Sequence, residues 1–301
     1  MGTSSSDRGS LHAPIFVAGV AGAGKTPMSR VLNEHPDIIV TRRTYMWRSF
    51  YDRFGDLGDE VNFSACLAAM LAAPGVQALR PDPDRIRADF AAGPKTYGAL
   101  FALFHEHHAE SVGKSRWGDQ LGLAEGHADA IFRAFPGAKM IHMIRDPRSA
   151  LLPPGRPGTL GWSIGKWLTS VELAERNQQV HPGGYLVVPF EDLTTDPAGT
   201  VAQVCGFLGV GSVATMVAVA DSLSTKNATS RGESAAQPDR GAGRYIERRA
   251  AESMRRYGYV PENPAPKPTI PYTLVHVPAN AVALVAWGRW KRRKISNTVG
   301  E

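Results

Sequence analysis

A glycine-rich segment near the amino terminus constrains this chain more than any other feature. Residues 19–26 read Gly-Val-Ala-Gly-Ala-Gly-Lys-Thr and fit the pattern G-x-x-x-x-G-K-[ST]. A short apolar run at residues 15–18 precedes the segment, and apolar residues at helical spacing follow it from Met28 to Leu32. Because short apolar runs are typical of buried strands, the predicted order is strand, glycine turn, helix. Glycine-rich loops bind phosphate in that order.

The residue types in this segment suit a phosphate group. Glycines allow backbone N–H groups to turn toward phosphate oxygens, and the following helix adds its positive amino-terminal end. Lys25 supplies a positive charge and Thr26 a hydroxyl. The sequence therefore predicts a phosphate-binding loop. The alternative is an ordinary glycine-rich turn between a strand and a helix.

Arg145 follows directly after a second apolar run, residues 139–144, which predicts another buried strand. A buried strand carries few charges, so an arginine at its end points into the crevice beyond the sheet. Arginine is suited to bidentate phosphate contacts, and Ser149 lies about one helical turn further on. Arg145 is thus a predicted second anion site. The alternative is a structural ion pair between Arg145 and Asp146 or Glu191.

Strand and helix patterns alternate along the chain. Strands are predicted over residues 15–18, 115–118, 139–144 and 185–188. Helices are predicted over residues 162–179 and 245–257 and in a long, broken region over residues 45–111, with loops at 152–161 and 222–243. This alternation predicts an α/β fold, a P-loop-type doubly wound parallel sheet flanked by helices, with a long helical insertion after the first βα unit. In such sheets ligands bind beyond the carboxyl ends of the strands.

Composition and charge bound the partners and the domains. The chain has 301 residues, 43% of them hydrophobic, which is enough for one large α/β domain. Its net charge of +6 suits an anionic partner, whether nucleotide, nucleic acid or acidic membrane. The two cysteines lack paired spacing, so we expect a reducing, cytoplasmic compartment. The predicted division is a disordered tail (1–13), a single α/β domain (14–260) and a basic carboxy-terminal extension (261–301).

The carboxy-terminal extension has two interpretations. Residues 274–287 are apolar but interrupted by polar residues and a proline, so they are too short and broken to span a bilayer. A basic run at residues 289–294 follows. Residues 271–301 therefore form a basic amphipathic segment at the inner face of a membrane, or a helix packed on the domain with a solvated basic end.

A histidine cluster at residues 105–108 resembles part of a zinc motif. The motif H-E-x-x-H would need histidine at position 109, which is Ala109. The surrounding aromatic residues place the cluster on an amphipathic helix, so we predict packed histidines. No metal ion is expected.

Longer blocks around the two anion sites resemble the sulfotransferases that use 3′-phosphoadenosine 5′-phosphosulfate (PAPS). The similarity is greatest to the bacterial branch related to carbohydrate and tyrosyl-protein sulfotransferases. Residues 14–37 are similar to that family's 5′-phosphosulfate loop and residues 135–148 to its 3′-phosphate block. Shorter matches follow in the family's usual order at residues 117–119, 190–193, 207–209 and 246–259. The resemblance covers residues 14–259 and implies a sulfotransferase domain.

The resemblance also implies roles for individual residues. The implied cofactor-binding residues are Gly22, Ala23, Gly24, Lys25, Thr26, Arg145 and Ser149. The loop amides would hold the 5′-phosphosulfate, and Arg145 would bind the 3′-phosphate. Gly22 stands where the family usually has a basic residue and Lys25 where it has threonine, so Lys25 supplies the displaced charge as a catalytic residue. Asp119 is the candidate general base for the acceptor proton.

Three further departures from the family pattern put an altered or inactive site among the predictions. Pro153 stands eight residues beyond Arg145, where the family usually has serine; Ser149 is the candidate substitute. Gln120 stands where lysine often follows, and residues 43–45 read Arg-Thr-Tyr where the family often has glutamate and histidine.

The implied activity is transfer of a sulfuryl group from PAPS to a hydroxyl or amine of a small-molecule, carbohydrate or lipid-linked acceptor, with no nucleic acid partner. We expect the acceptor pocket within residues 47–111 and 222–244. One alternative is an ATP-dependent small-molecule kinase with Thr26 on Mg²⁺, although a carboxylate directly after strand 139–144 is missing. The other is a nucleotide-binding protein without catalytic activity.

Overall fold

The computed structural model describes residues 13–120, 122, 124–151, 159–233 and 240–261. Within them, strands form one sheet: β1 (Ile15–Ala18), β2 (Ile38–Arg42), β3 (Arg116–Gln120), β4 (Lys139–Ile144) and β5 (Tyr185–Pro189). Their order across the sheet is β2-β3-β1-β4-β5, and all neighbouring strands pair in parallel. The predicted parallel α/β sheet is confirmed.

Helices connect the strands. The helix α1 (Lys25–Asn33) joins β1 to β2. The helical insertion joins β2 to β3 and contains α2 (Met46–Ser49), α3 (Glu60–Leu71), α4 (Pro74–Gln77), α5 (Pro83–Ala92) and α6 (Tyr97–Ser111). After β3 come a 3₁₀ helix (Ala124–His127) and α7 (Ala128–Ala134), and after β4 come α8 (Pro147–Leu151) and α9 (Thr159–Val180). The last elements are α10 (Phe190–Thr195), α11 (Pro197–Leu208), α12 (Ala214–Glu233) and α13 (Arg240–Arg256).

The sheet has an apolar core on each face. Every residue of β1 is buried, and alternate side chains belong to different cores. Ile15 and Val17 pack with side chains of α1, α11 and α13, whereas Phe16 and Ala18 pack with the helical insertion and α7. Because successive residues of a strand point to opposite faces, helices cover both sides of the sheet. This is the predicted doubly wound arrangement.

Local sequence signals start several of the helices. The Asp59 carboxylate accepts hydrogen bonds from backbone N–H groups at the start of α3, and Asp82 does the same for α5. Thr96 caps α6, and Asp196 caps α11 by accepting from Gly199 N at 2.9 Å. Aspartate and threonine favour these positions because their side chains satisfy N–H groups that lack a partner inside the helix.

The strand β2 was not predicted, because its apolar run is short and follows a His-Pro-Asp turn. In the structure it lies at the edge of the sheet and pairs along its length with β3. The Asn33 amide stabilises its backbone from α1, accepting from Val40 N at 2.6 Å and donating to Val40 O at 3.3 Å. These contacts are tertiary, so the local sequence carries little trace of them.

The loop predicted over residues 222–243 is wrong at both ends, since α12 continues to Glu233 and α13 begins at Arg240. The amino-terminal half of α12 packs Met216 and Ala220 into the core. Once those turns are fixed, adding a residue to a helix costs little even where the sequence is polar. The predicted loop at 152–161 also ends early, because α9 begins at Thr159.

Residues 1–12, 121, 123, 152–158, 234–239 and 262–301 lie outside the described residues. The predicted tail, Pro153 and nearly all of the carboxy-terminal extension fall there, so the division into domains stays a prediction. Among the described residues, no helix combines the length and apolar character that crossing a membrane requires.

Candidate active site

A cavity of about 630 Å³ opens at the edge where the parallel strands end. Residues that follow four of the strands line it: the glycine segment after β1, Arg43 after β2, Gly122 after β3 and Arg145 after β4. Its other lining residues include Tyr45, Arg48, Gln120, Lys166, Phe190 and Leu223. The parallel sheet therefore brings the two predicted anion sites into one cavity.

The glycine segment turns sharply before α1. Gly22 has φ 85° and Gly24 has φ 101°, values that side-chain-bearing residues rarely adopt. A Cβ atom on Gly22 would lie 2.5 Å from Ala150 O, and one on Gly24 would lie 2.4 Å from the Phe190 ring. Both positions therefore require glycine. Gly24 is also the N-cap of α1 and offers no side-chain acceptor to the helix N–H groups.

The predicted loop residues differ in how they face the cavity. Gly22, Gly24, Lys25 and Thr26 line it, whereas Ala23 does not. The Ala23 side chain is buried, and its N–H donates to Val20 O at 3.3 Å within the loop. The geometry therefore supports phosphate contacts from the helix start more than from Ala23.

Lys25 is 9% exposed at the floor of the cavity. Its Nζ donates to Gly19 O at 2.5 Å and to Val20 O at 2.6 Å. Burial lowers the pKa of Lys25 to about 8, and the negative charge of Glu125 opposes that shift. The ammonium thus holds the loop's own carbonyl groups while lying beside the place where an anion would enter.

Arg145 lies at one end of the cavity. Its guanidinium stacks over the Phe190 ring, 4.6 Å from the ring centroid, and its Nη1 donates to Gly22 O at 3.4 Å. The Arg145 carbonyl accepts from Trp167 Nε1 at 2.9 Å, which fixes the backbone where β4 ends. Residues 19–26 and Arg145 together form what we call the loop wall.

The nearby acidic groups pair with other residues. Asp146 binds Arg148 at 2.7 Å, and Arg148 also reaches Glu247 at 2.8 Å. Glu191 accepts from the Asp146 N–H at 3.1 Å and from the Tyr259 hydroxyl at 2.9 Å. Arg148, rather than Arg145, therefore forms the ion pairs that hold this segment in place.

Ser149 is exposed on α8 and does not line the cavity. The structure thus does not bring Ser149 to the anion site. Gln120, where the family pattern often has lysine, does line the cavity. Its Oε1 accepts from Ser29 Oγ at 3.1 Å and lies 3.4 Å from Thr26 Oγ1. Gln120 therefore contacts α1, the helix that follows the glycine turn.

Asp119 is fully buried and does not line the cavity. Its carboxylate accepts from Thr44 Oγ1 at 2.6 Å and from Thr41 Oγ1 at 3.2 Å, and it lies 3.8 Å from His105 Nε2. Burial raises the pKa of Asp119 to about 6, while the two threonine hydrogen bonds oppose the shift. This geometry gives Asp119 no contact with a molecule in the cavity, so it does not support the predicted role as base.

The opposite end of the cavity holds residues that the sequence interpretation missed. Arg43, Tyr45, Arg48 and Lys166 line it, and we call these four residues the β2 wall. The three residues at 43–45 had been noted only as a departure from a family pattern. Lys166 lies on α9, more than a hundred residues from the others in the chain, so nothing in its local sequence marked it.

Comparison with known proteins agrees with this geometry. The model of the Sulfotransferase family matches residues 14–213. The chain belongs to that family. It is therefore a transferase, and the kinase interpretation is disfavoured. A search of curated protein sequences gave no match.

Solved sulfotransferase structures are similar at low identity. The sulfotransferase domain of the Synechococcus PCC 7002 olefin synthase is 18% identical, with 68% of this chain and 77% of that chain covered and a TM-score of 0.45. The Alicyclobacillus acidocaldarius sulfotransferase is 18% identical over 71% of this chain and 96% of that one, with a TM-score of 0.41. Mouse sulfotransferase SULT7A1, solved in complex with PAP, is 13% identical over 82% and 88%, with a TM-score of 0.43. At these TM-scores the likeness adds nothing to the assignment, which rests on the family model.

A network of buried polar side chains includes Glu125, whose charge acts on Lys25 of the loop wall. Ser170 Oγ donates to Glu125 Oε1 at 2.5 Å and lies 3.1 Å from His142 Nε2, and His142 Nδ1 lies 2.7 Å from the Tyr185 hydroxyl. All four side chains are buried. The negative charge of Glu125 raises the pKa of Lys25 against the larger effect of burial, so the network contributes to the electrostatic environment of the loop lysine.

Proposed function

We propose that this sulfotransferase moves a sulfuryl group from PAPS to a hydroxyl or amine of a small-molecule, carbohydrate or lipid-linked acceptor. The supporting observation is one cavity that joins the glycine segment at the start of α1 with Arg145 at the end of β4. Among the described residues that line it, none is aspartate or glutamate, whereas five are lysine or arginine. A nucleotide with phosphate groups at two positions fits such a lining.

The residues present fit PAPS at both of its charged ends. The close approach of Ala150 O and the Phe190 ring to Gly22 and Gly24 leaves space only for backbone at the turn. We propose that the amides at the start of α1 and the Thr26 hydroxyl hold the 5′-phosphosulfate, and that Arg145 binds the 3′-phosphate. When bound, PAPS supplies a sulfuryl group whose bond to the 5′-phosphate breaks as its bond to the acceptor oxygen or nitrogen forms.

Lys25 is the proposed catalytic cation. Its ammonium is buried beside the loop, and it can move from the carbonyl groups of Gly19 and Val20 toward negative charge that builds up on the leaving phosphate. Burial strengthens that interaction because little water screens it. Burial has lowered the pKa of Lys25 to about 8. An anion that binds beside Lys25 would raise this pKa and so favour the protonated, positively charged form.

Asp119 receives a different role in this proposal. Because its carboxylate is enclosed and binds Thr44 at 2.6 Å, it acts as a positioning residue for the turn at residues 43–45.

Calorimetric titration with 3′,5′-adenosine bisphosphate (PAP), compared with ATP plus Mg²⁺, tests the proposed function. Arg145→Ala should weaken PAP binding about ten- to a hundredfold, the cost of one charge-assisted hydrogen bond. The matched control is Arg30→Ala, an exposed arginine of α1 outside the cavity, which should leave the affinity unchanged. Tight binding of PAP without metal supports the proposal, whereas binding of Mg-ATP alone overturns it.

A further inference from the structure

The β2 wall carries more positive charge than the proposed donor requires. Arg43, Arg48 and Lys166 line the cavity in addition to Lys25 and Arg145. Neither Arg43 nor Arg48 forms an ion pair with a carboxylate anywhere in the part of the chain that the structure describes. The proposed contacts with PAPS already use Lys25, Arg145 and the start of α1, so the β2 wall needs another explanation.

The strand order places Arg43 and Arg145 on opposite sides of the glycine segment. The central strand β1 has β4 on one side and β3, then β2, on the other. Arg145 follows β4, and Arg43 follows β2. A PAPS molecule with its 3′-phosphate at Arg145 and its 5′-phosphate at the glycine segment therefore directs its sulfuryl group toward β3 and β2.

The turn that carries Arg43 and Tyr45 is held in an uncommon conformation. Arg43 has φ 63° and Tyr45 has φ 51°, both in the left-handed region that side-chain-bearing residues seldom occupy. Thr44 between them is buried and donates to Asp119 at 2.6 Å. Gly75 of α4 packs so closely that a Cβ atom there would lie 1.8 Å from Arg43 O. Such over-determined strain concentrates at functional sites.

Two cations of this wall, Arg48 and Lys166, lie close enough for their charges to interact. The pKa of Lys166 is lowered by burial and then by the positive charge of Arg48. Lys166 Nζ also lies 5.1 Å from the centroid of the Trp162 ring. Like charges gathered at a cavity wall destabilise the protein unless an anion joins them. Their arrangement is thus that of an anion subsite.

We propose that the acceptor carries an oxyanionic group, a phosphate, sulfate or carboxylate, which Arg43, Arg48 and Lys166 bind on the side of the glycine segment opposite Arg145. This inference rests on the proposed function, because it takes the donor to occupy the loop wall. The exposed ring of Tyr45 lies beside these cations and offers a flat surface to the rest of the acceptor. Arginine favours oxyanions with planar or tetrahedral oxygen pairs through its paired N–H groups.

Calorimetry on the PAPS-loaded protein tests the subsite. The probe is phenyl phosphate, which has the anionic group but no hydroxyl to accept sulfate, and its uncharged partner is dimethyl phenyl phosphate. With PAPS bound, the donor's own anion sites are filled, so added phenyl phosphate reports the β2 wall. We expect phenyl phosphate to bind and the neutral ester to bind at least about tenfold more weakly.

The double variant Arg43→Gln, Arg48→Gln removes two cations and leaves a shorter, uncharged polar side chain at each position. It should weaken phenyl phosphate binding by about ten- to a hundredfold, while PAP affinity changes less than about threefold. The matched control is Arg42→Gln, one residue away at the end of β2, exposed and outside the cavity. That control should bind both molecules as the wild type does.

The outcomes separate this inference from the proposed function. If PAP fails to bind the wild type, the proposed function fails first. If PAP binds but phenyl phosphate binds no better than its neutral ester, or if the double variant loses PAP instead, the cations do not form an acceptor subsite and only the further inference is overturned.

Discussion

The loop wall and the β2 wall face the same cavity but are built in different ways. The loop wall follows two adjacent central strands, and its shape comes from glycines within eight residues of one another and the start of α1. Three residues of the β2 wall follow an edge strand, and the fourth, Lys166, lies on α9. The turn that carries Arg43 and Tyr45 depends on Thr44 binding Asp119, which lies 75 positions away in the chain. The shape of the loop wall is thus largely set by nearby residues in the chain, whereas the β2 wall depends on contacts between residues far apart in the chain.

This difference teaches how one fold can keep one wall of a cavity and vary the other. A change at residues 43–48 alters charge at the cavity without touching the glycine turn, because different strands carry the two sets. The departures from the family pattern at residues 43–45 fall in the β2 wall. The comparison predicts that variants of the two walls affect different measurements.

The largest effect should come from the loop wall. Lys25→Met removes the ammonium beside the leaving phosphate and should lower the rate of sulfuryl transfer by about 10²–10³-fold. The measurement is PAP release at saturating PAPS, with 4-hydroxyphenyl phosphate as the acceptor. Lys139→Met is the control, since Lys139 also donates to a backbone carbonyl, Gly183 O at 2.6 Å, but lies outside the cavity. A rate within about threefold of the wild type for Lys25→Met would remove Lys25 from the proposed mechanism.

The next effect concerns the buried anchor of the β2 wall. Burial raises the pKa of Asp119 from 3.8 to about 6, so the folded protein favours the protonated form. The stability that Asp119 contributes is therefore fully present below about pH 4 and is lost as the pH rises through 6. Asp119→Asn should remove this dependence.

Urea unfolding of both proteins between about pH 5 and 7.5 measures the change. Over that range the wild type should lose about 1.4 kcal/mol of stability relative to the variant, because only the part of the pKa shift between pH 5 and about 6 falls within it. PAP affinity should stay the same in both, because Asp119 belongs to the other wall. A stability difference that does not vary with pH would contradict the assigned environment of Asp119.

A smaller effect separates two arginines of one segment. Arg148→Met removes the guanidinium that pairs with Asp146 and with the buried Glu247 and should cost about 1–3 kcal/mol of stability, with little change in PAP affinity. Arg145→Ala should instead weaken PAP binding while changing the stability of the protein little. Arg256→Met is the control for exposed ion pairs, since Arg256 is half exposed in its pairs with Glu175 and Glu252, and should cost at most about 1 kcal/mol. Equal effects of Arg145→Ala and Arg148→Met on PAP binding would remove the distinction.

Much of the loop wall could be predicted from the sequence. The apolar run of β1, the glycine spacing and the arginine after β4 are local patterns, and the structure brings them into one cavity. Ser149 and Asp119, by contrast, do not line the cavity. Both were placed by position relative to a family pattern, but whether a side chain reaches a cavity depends on burial, which a short segment does not specify.

The sequence by itself determined the alternation of strands and helices, the glycine turn between β1 and α1 and the family resemblance, because periodicity and turn chemistry act over a few residues. Only the tertiary structure decided the strand β2, the length of α12, the enclosure of Asp119 and the gathering of Arg43, Arg48 and Lys166. Each of these depends on groups far apart in the chain, whose free energy of contact exists only after the sheet and its helices have packed together.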